Sequence, residues 1–308
     1  MILVKTPLFS GEFLTENIPV IVQNTPTDLK KSLKGVTKYL NEQNLSDESK
    51  CVLFSYWIIK NIKYDKSQVR QLKRNKIPSE VVRDRSAVCG GYSALFKHFC
   101  DKAQIPCFYI KGYARGNIIE RTFKKKHLRH AWNAVYVDGK WELWDVTWMQ
   151  TELKNLDKKA PFFKWANTAP KEFSKTHFPD NPMWQMLDNP KNKKEFIHKR
   201  EGTQELYAYK DSLQVYLNKN QVNQRLMELR GRYYQHQSML TFQLELNDLI
   251  WEYIGGTYDA DRIKIGIELI NYMVKIHESA VPYSKDSYIA NQIILAKRIA
   301  NWRLENKD

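Results

Sequence analysis

Apolar positions at Leu29, Leu33, Val36 and Leu40 recur three and four residues apart, the spacing of one helix face, with Thr27 as the expected cap. Ser46 with Asp47 caps a second helix from about Glu48 to Lys63, whose Leu53, Trp57 and Ile58 face a core. Cys51 packs there as a small hydrophobe. Before these helices the chain mixes apolar and polar residues around Pro7, Pro19 and Pro26 and reads as an irregular or short-strand lead-in. From Ser86 the period changes repeatedly: helical to about Lys102, then strand-like at Cys107 to Tyr113, Arg129 to Val137 and Lys140 to Trp148. A stretch with Pro161, Pro170, Pro179, Pro182 and Pro190 follows, too rich in proline for long helices. Beyond about residue 200 helical spacing returns at Leu226, Leu229 and Tyr233, at Ile263, Ile267, Ile270 and Val274, and at Ile289, Ile293 and Ala296, with Gly255-Gly256 as a turn. The pattern predicts an α+β core followed by an all-helical C-terminal unit. The expected boundaries are a lead-in and helix over 1–45, the core over 46–200 and the helical extension over 201–308.

One pair of strands carries a geometrical expectation. His130 to Val137 and Lys140 to Trp148 flank Asp138-Gly139, the residue pair of a two-residue type I′ turn. With that turn, Val137 opposes Lys140, Trp132 opposes Asp145 and His130 opposes Thr147. Side chains alternate along strands, so His130, Trp132 and Asp145 share one sheet face. His130 and Asp145 are then diagonal neighbours with backbones ~7–8 Å apart, within side-chain reach. A bulge at the turn would shift the register by one and break the pair.

A thiol becomes a good nucleophile when it is ionised, and of the four cysteines at 51, 89, 100 and 107 only Cys89 has a setting that favours this. It precedes Gly90-Gly91, and Tyr92, Leu95, Phe96 and Phe99 fall on one face of a helix, so the sulfur sits at a helix N-terminus where N–H groups favour negative charge. The Cys89 N–H can donate to an oxyanion, and the two glycines leave room for a substrate backbone. Gly90 and Trp132, beside the expected nucleophile and base, are further candidates for oxyanion or substrate contact. Cys100 and Cys107 read as core. No C-x-x-C pair or zinc-type doublet occurs, and free thiols are expected. His98 and His127 lack an orienting partner, and His127 with His130 finds no third ligand, so no metal is expected. Phosphate-binding glycine motifs are absent, and no nucleotide cofactor is expected.

The formal net charge of +15 is uneven along the chain. Residues 1–150 carry 25 Lys+Arg against 14 Asp+Glu, and residues 201–308 carry 13 against 14, so the excess lies ahead of the helical extension. A solvated basic face is the favoured reading, because Lys124-Lys125-Lys126 falls in an expected loop and no nucleic-acid-binding signature accompanies it. Docking of this half on an anionic surface, with the helical unit contacting a protein partner, is the weaker alternative. No apolar run approaches the ~20 residues of a membrane helix, and Met1 to Leu8 lacks the long apolar region of a secretory signal. The chain reads as soluble and cytoplasmic.

These residues resemble the transglutaminase-like superfamily, and within it the kyphoscoliosis-peptidase-like branch. The resemblance runs from about Phe54 to Phe196. It rests on Trp57-Ile58-Ile59-Lys60-Asn61-Ile62-Lys63-Tyr64-Asp65, Val88-Cys89-Gly90-Gly91-Tyr92-Ser93 with Leu95-Phe96, Gly112-Tyr113-Ala114-Arg115-Gly116, His130-Ala131-Trp132-Asn133 and Leu143-Trp144-Asp145-Val146-Thr147-Trp148. Downstream, Glu172-Phe173, Thr176-His177-Phe178-Pro179 and Trp184-Gln185-Met186-Leu187 look like a signature of the branch. The resemblance implies a papain-like core with a cysteine helix packed on an antiparallel sheet. It assigns Cys89 as nucleophile, His130 as general base then acid, and Asp145 as the group orienting the imidazole. Relatives often take a second oxyanion donor from an upstream side chain, and Trp57 stands roughly where one is expected. The helical tail has no counterpart in the resemblance. The implied activity is acyl transfer from peptide or glutamine amides on a protein or peptide substrate. Hydrolysis is favoured over cross-linking, and a binding scaffold on the same fold is the rival.

Overall fold

The computed structural model describes residues 11–70, 76–116, 128–153, 165–203, 207–236, 239–255, 259–280 and 288–306. Pro7, Lys124 to Lys126, His127, Pro161 and Gly256 lie outside them. The chain forms two compact units, one of Met1–Pro179 with Trp184–Glu205 and one of Asp180–Met183 with Leu206–Asp308.

The first unit is built on an antiparallel sheet of β3 (Cys107–Ala114), β4 (Leu128–Val137), β5 (Lys140–Trp144) and β6 (His177–Pro179), in the order β5-β4-β3-β6. The β4–β5 hairpin turns at Asp138 and Gly139 with φ of 49° and 75°, both in the left-handed region that a type I′ turn requires. Val137 therefore pairs with Lys140, and the register runs unbroken to Asn133 opposite Trp144. Two short strands, β1 (Lys63–Tyr64) and β2 (Ser86–Ala87), pair in parallel beside this sheet.

Helix α6 (Cys89–Lys102) lies against β3 and β4, and α3 (Asp47–Asn61) packs on α6. Apolar packing and polar ties together join the sheet to the two helices. Phe96 stacks on Trp144 at 5.9 Å, the Trp144 indole donates to Ser55 Oγ on α3 at 2.8 Å, and the Asn133 amide donates to the Ser93 carbonyl of α6 at 3.1 Å. Phe54, Trp57, Tyr92, Phe99 and Trp132 are all fully buried. At roughly 1.5–3 kcal/mol for a buried apolar side chain, this aromatic core dominates the packing of the unit.

Three sequence expectations are corrected. The lead-in is not irregular: α1 (Gly11–Gln23) is a helix with Pro19 inside it. Proline removes one intrahelical hydrogen bond, and burial of Ile18 and Val22, four residues apart on a face turned towards α3, offsets that loss. The next helix is capped by Ser32, whose Oγ accepts from the Gly35 N–H at 3.1 Å, and not by Thr27; Leu29 sits in a separate 3₁₀ turn ahead of α2 (Leu33–Asn41). The strand expected to run to Trp148 ends at Trp144, and Val146–Leu153 form helix α7. Alternation at Trp144, Val146 and Trp148 reads as a strand, but Asp145 supplies the cap that starts a helix there. Ser46 caps α3 as the pattern predicts, accepting from the Ser49 N–H at 3.3 Å.

In the second unit, Leu246, Ile250, Ile254, Ile263, Ile270 and Met273 are buried together from helices Met239–Ile254 and Ala260–Ala280, with Ala296 and Ala300 from Tyr288–Glu305. Ile267 and Val274 lie partly buried at its margin. Among the described residues no helix is long and apolar enough to cross a membrane.

Gly112 sits between two strands, opposite His130 on β4 and Pro179 on β6. A Cβ there would stand 2.2 Å from the Phe178 carbonyl oxygen, 2.6 Å from the Trp132 ring and 2.7 Å from Pro179 Cα. Two of these are backbone atoms of a paired strand and cannot turn aside. Gly112→Ala is expected to destabilise the protein by about 1–3 kcal/mol, as overpacking does, or more. Urea unfolding of the variant measures this, and an unchanged midpoint would contradict the β3–β6 pairing.

Candidate functional site

Val88 is extended at φ −98° and ψ −178°, and its carbonyl accepts from the N–H groups of Gly91 at 2.9 Å and Tyr92 at 3.1 Å, so α6 begins at Cys89. The first turn lies close to β2 and α5 (Pro78–Asp84): a Cβ on Gly91 would meet Ala87 Cβ at 2.5 Å and the Val81 side chain at 3.0 Å. Glycine at 91 is what lets the cysteine turn pack there. Cys89 is partly exposed, whereas Cys51, Cys100 and Cys107 are buried. Burial pushes the thiols of Cys51 and Cys100 up. Of the four, Cys89 alone is open to solvent and sits at a helix start.

His130 lies on β4 with its Nε2 2.8 Å from Asp145 Oδ2. Cys89 lies within electrostatic reach of the same ring. With Nε2 on the carboxylate, Nδ1 is the nitrogen left for the sulfur. A carboxylate only accepts, so Nε2 carries the proton and Nδ1 of the neutral ring presents a lone pair. Burial opposes charging of the imidazole, but the Asp145 carboxylate and Cys89 outweigh it and raise its pKa to about 10.

Asp145 has no solvent exposure. Its Oδ1 accepts from the Trp148 N–H at 3.1 Å, its carbonyl accepts from the Met149 N–H at 3.0 Å, and its own N–H donates to the Trp165 carbonyl at 2.8 Å. It is both the cap of α7 and the partner of His130. Burial favours the neutral acid, yet the His130 charge and the imidazole hydrogen bonds hold the carboxyl well below the usual carboxylate range. The hairpin register predicts this His–Asp contact, although Asp145 has left the strand by the time it makes it.

A second histidine, to which the sequence reading gives no role, reaches the same oxygen. His177 Nε2 lies 3.0 Å from Asp145 Oδ2, and its Nδ1 lies 2.9 Å from Thr176 Oγ1. It arrives on β6, where it pairs with Ala114 of β3, so the strand order brings it in and no local spacing announces it. Burial holds this imidazole neutral, with its pKa lowered to about 4. His130, Asp145 and His177 each offer a ligand atom within 4.8 Å of the others, a donor set compatible with a metal ion. The sequence reading lacked these partners for His130. The two N···O separations, 2.8 and 3.0 Å, are those of hydrogen bonds.

The other expected site residues fall as follows. Gly90 is buried in the first turn of α6, adjacent to Cys89. Trp132 is fully buried, stacked on His130 at 6.1 Å and edge-on to His177 at 5.0 Å; it walls the histidines from behind and offers no substrate surface. Trp57 is not brought to the sulfur. It is fully buried and packs edge-on to Phe99 at 5.8 Å, ten residues along α6 from Cys89. At 1.5 Å rise per residue that is ~15 Å away. Its helical spacing makes it core. Tyr64 and Tyr109, not singled out by the sequence, lie within electrostatic reach of Cys89; burial first and then Cys89 push both phenols up. Tyr64 also lines a cavity of about 640 Å³, with Lys63, Asp65, Lys66, Ser86 and Gln150. Ser86 lies three residues ahead of Cys89, and Gln150 lies on α7, five residues beyond Asp145.

Residues 34–146 match the model of the transglutaminase-like superfamily, and that span includes Cys89, His130 and Asp145. Kyphoscoliosis peptidase of Mus musculus is 30% identical over 185 residues, covering 58% of this chain and 28% of that protein. Hillarin of Drosophila melanogaster is 27% identical over 208 residues, covering 62% of this chain and 25% of that protein. The chain thus spans little more than a quarter of the length of these curated relatives. A crystal structure of a TGase covers 56% of this chain and 40% of its own at 16% identity and a TM-score of 0.29. Residues 34–146 thus carry the transglutaminase-like match, and over 58% of its length the chain is similar to the kyphoscoliosis peptidases of mouse and human.

Proposed function

We propose that this protein is a thiol enzyme that transfers acyl groups from peptide or glutamine amides, with water as the favoured acceptor. One observation carries the reading: His130 is held with Nε2 on Asp145, which leaves Nδ1 free for proton transfer, and Cys89 lies within electrostatic reach of the ring. The proton of the Cys89 thiol passes to His130 Nδ1, forming the imidazolium that the raised pKa favours, and the sulfur then forms the S–C bond to the amide carbonyl. The resulting oxyanion is met by N–H groups at the start of α6, those of Cys89 and Gly90. Collapse breaks the C–N bond, and His130 passes its proton to the departing amine, or to ammonia from a glutamine. Water then attacks the thioester, His130 takes its proton, and the acid leaves as the thiol is restored. Asp145 stays ionised throughout and fixes the tautomer. Two mouse and human relatives carry the name peptidase, which favours hydrolysis over transfer to an amine.

Iodoacetamide tests the nucleophile in the folded protein. Cys89 is expected to be alkylated at pH 6 at least tenfold faster than a thiol of the unfolded chain, while Cys51, Cys100 and Cys107 stay unmodified until unfolding. His130→Ala should remove that advantage. Equal rates for Cys89 and the unfolded-chain thiol, with no effect of His130→Ala, would sink the reading. With a casein-derived peptide mixture as substrate, Cys89→Ala should abolish release of new amines or ammonia, and His130→Ala should slow it by about 10²–10⁴-fold.

The charged pair also leaves a signature in stability. The pKa of His130 is raised, so its contribution is fully present below about pH 6.5 and is lost as pH climbs through about 10. That of Asp145 is lowered, so its contribution is present above about pH 4 and is lost in stronger acid. The deficit of His130→Ala in urea unfolding is therefore expected to be larger at pH 5.5 than at pH 9.5. An equal deficit at both values would mean that no imidazolium–carboxylate pair forms.

A further inference from the structure

The mechanism above leaves unused a buried ionisable side chain that touches its own aspartate. His177 is 1% exposed, stacked on Phe173 with ring centroids 3.8 Å apart and packed against Trp148 at 4.5 Å and Trp132 at 5.0 Å. In such surroundings a polar ring with no task would be replaced at little loss by an apolar one, since each buried polar atom must be matched by a partner. Both nitrogens of His177 are matched, and one of the partners is Asp145.

The proton positions follow from what each partner can do. Asp145 Oδ2 only accepts, so His177 Nε2 carries a hydrogen and donates it. The neutral ring then has a lone pair at Nδ1, which accepts from the Thr176 hydroxyl. A single oxygen, Oδ2, thus receives two imidazole N–H groups, from His130 and from His177, while Oδ1 receives the Trp148 N–H. With only Trp148 and His130 as donors, the carboxylate could turn about its Cβ–Cγ bond and still keep both bonds at poorer angles. The third donor removes that freedom. Because this donor is neutral, it orients the anion without pairing its charge, which stays available to the imidazolium of His130. A lysine or arginine in the same place would compete for it.

We propose that His177 is a positioning residue, fixing the rotation of the Asp145 carboxylate so that Oδ2 faces His130 Nε2, and that the working unit is the relay Cys89–His130–Asp145–His177. The inference rests on the thiol-enzyme reading and adds a fourth member to it. His177 touches neither the substrate nor the sulfur, and acts through Asp145 on the proton affinity and orientation of His130.

The test compares His177→Phe, which keeps the ring stacking and removes the donor, with His177→Gln, whose side-chain N–H can reach the place of Nε2. Iodoacetamide is the probe for Cys89, on the full chain. Expected is a loss of about tenfold or more in alkylation rate at pH 6 for His177→Phe, and recovery of most of that loss in His177→Gln, with circular dichroism and melting temperature checked for both. Independently of reactivity, ¹⁵N-histidine spectra in a Cys89→Ala background read the His130 tautomer. The Nε2–H form should be held in the parent and in His177→Gln, and be mixed with the Nδ1–H form in His177→Phe. A His177→Phe variant that alkylates as fast as wild type, or a His177→Gln variant as slow as His177→Phe, overturns the proposal while leaving the three-residue site intact. An inert Cys89 in the wild type would instead overturn the enzyme reading. Elemental analysis supplies a further overturning result: one equivalent of zinc in the purified protein, lost in His177→Phe, would make His177 a metal ligand, since a metal on both Nε2 atoms excludes the protons the relay requires.

Discussion

A carboxylate taken wholly out of water must either take up a proton or be surrounded by donors, and Asp145 is surrounded. Two imidazole N–H groups meet one of its oxygens and the Trp148 backbone N–H meets the other. Desolvating an ion costs several kcal/mol even after the protein relaxes, so the arrangement persists only because every donor is already in place. The donors come from β4, β6 and the start of α7, and the sheet order β5-β4-β3-β6 lets the first two converge. The Asn133 tie to Ser93 then holds α6, which begins at Cys89, onto this sheet. Fold and chemistry share one constraint.

The surroundings explain why two histidines on one carboxylate differ in charge. His130 lies within electrostatic reach of Cys89, and Asp145 and Cys89 both favour its imidazolium. His177 is enclosed by Phe173, Trp148, Trp165 and Trp132, and has a hydroxyl on its far side. For it, the loss of hydration outweighs the attraction of Asp145. The aromatic wall therefore decides which ring takes a proton.

Much of this was legible in the sequence because it depends on short-range rules. Asp138-Gly139 specifies its turn through positive φ at both positions, and the turn specifies the register that puts His130 near Asp145. The start of α6 at Cys89 follows from the apolar spacing after Gly91. What escaped depends on distant contacts. Helix α1 contains Pro19 and is held by burial of one face, which local propensity opposes. The helix after Trp144 is hidden because Trp144, Val146 and Trp148 are all buried, and alternation loses meaning where every side chain faces a core. His177 reaches Asp145 from 32 residues downstream through pairing of β6 with β3, a contact with no local signal. Trp57 failed as an oxyanion donor for the reverse reason: its position on the apolar face of α3, plain in the sequence, already described a core residue.

The double duty of Asp145 bears on how descendants of this fold can be read. A chain of this fold that performed no chemistry would still need a cap for α7 and an acceptor for two buried imidazoles, so selection for mere foldedness would keep the aspartate and resist its loss. Cys89 is under no such obligation: its side chain lies outside the aromatic core, and serine or alanine there leaves the packing alone. Of the two residues, the aspartate records ancestry and the cysteine records occupation.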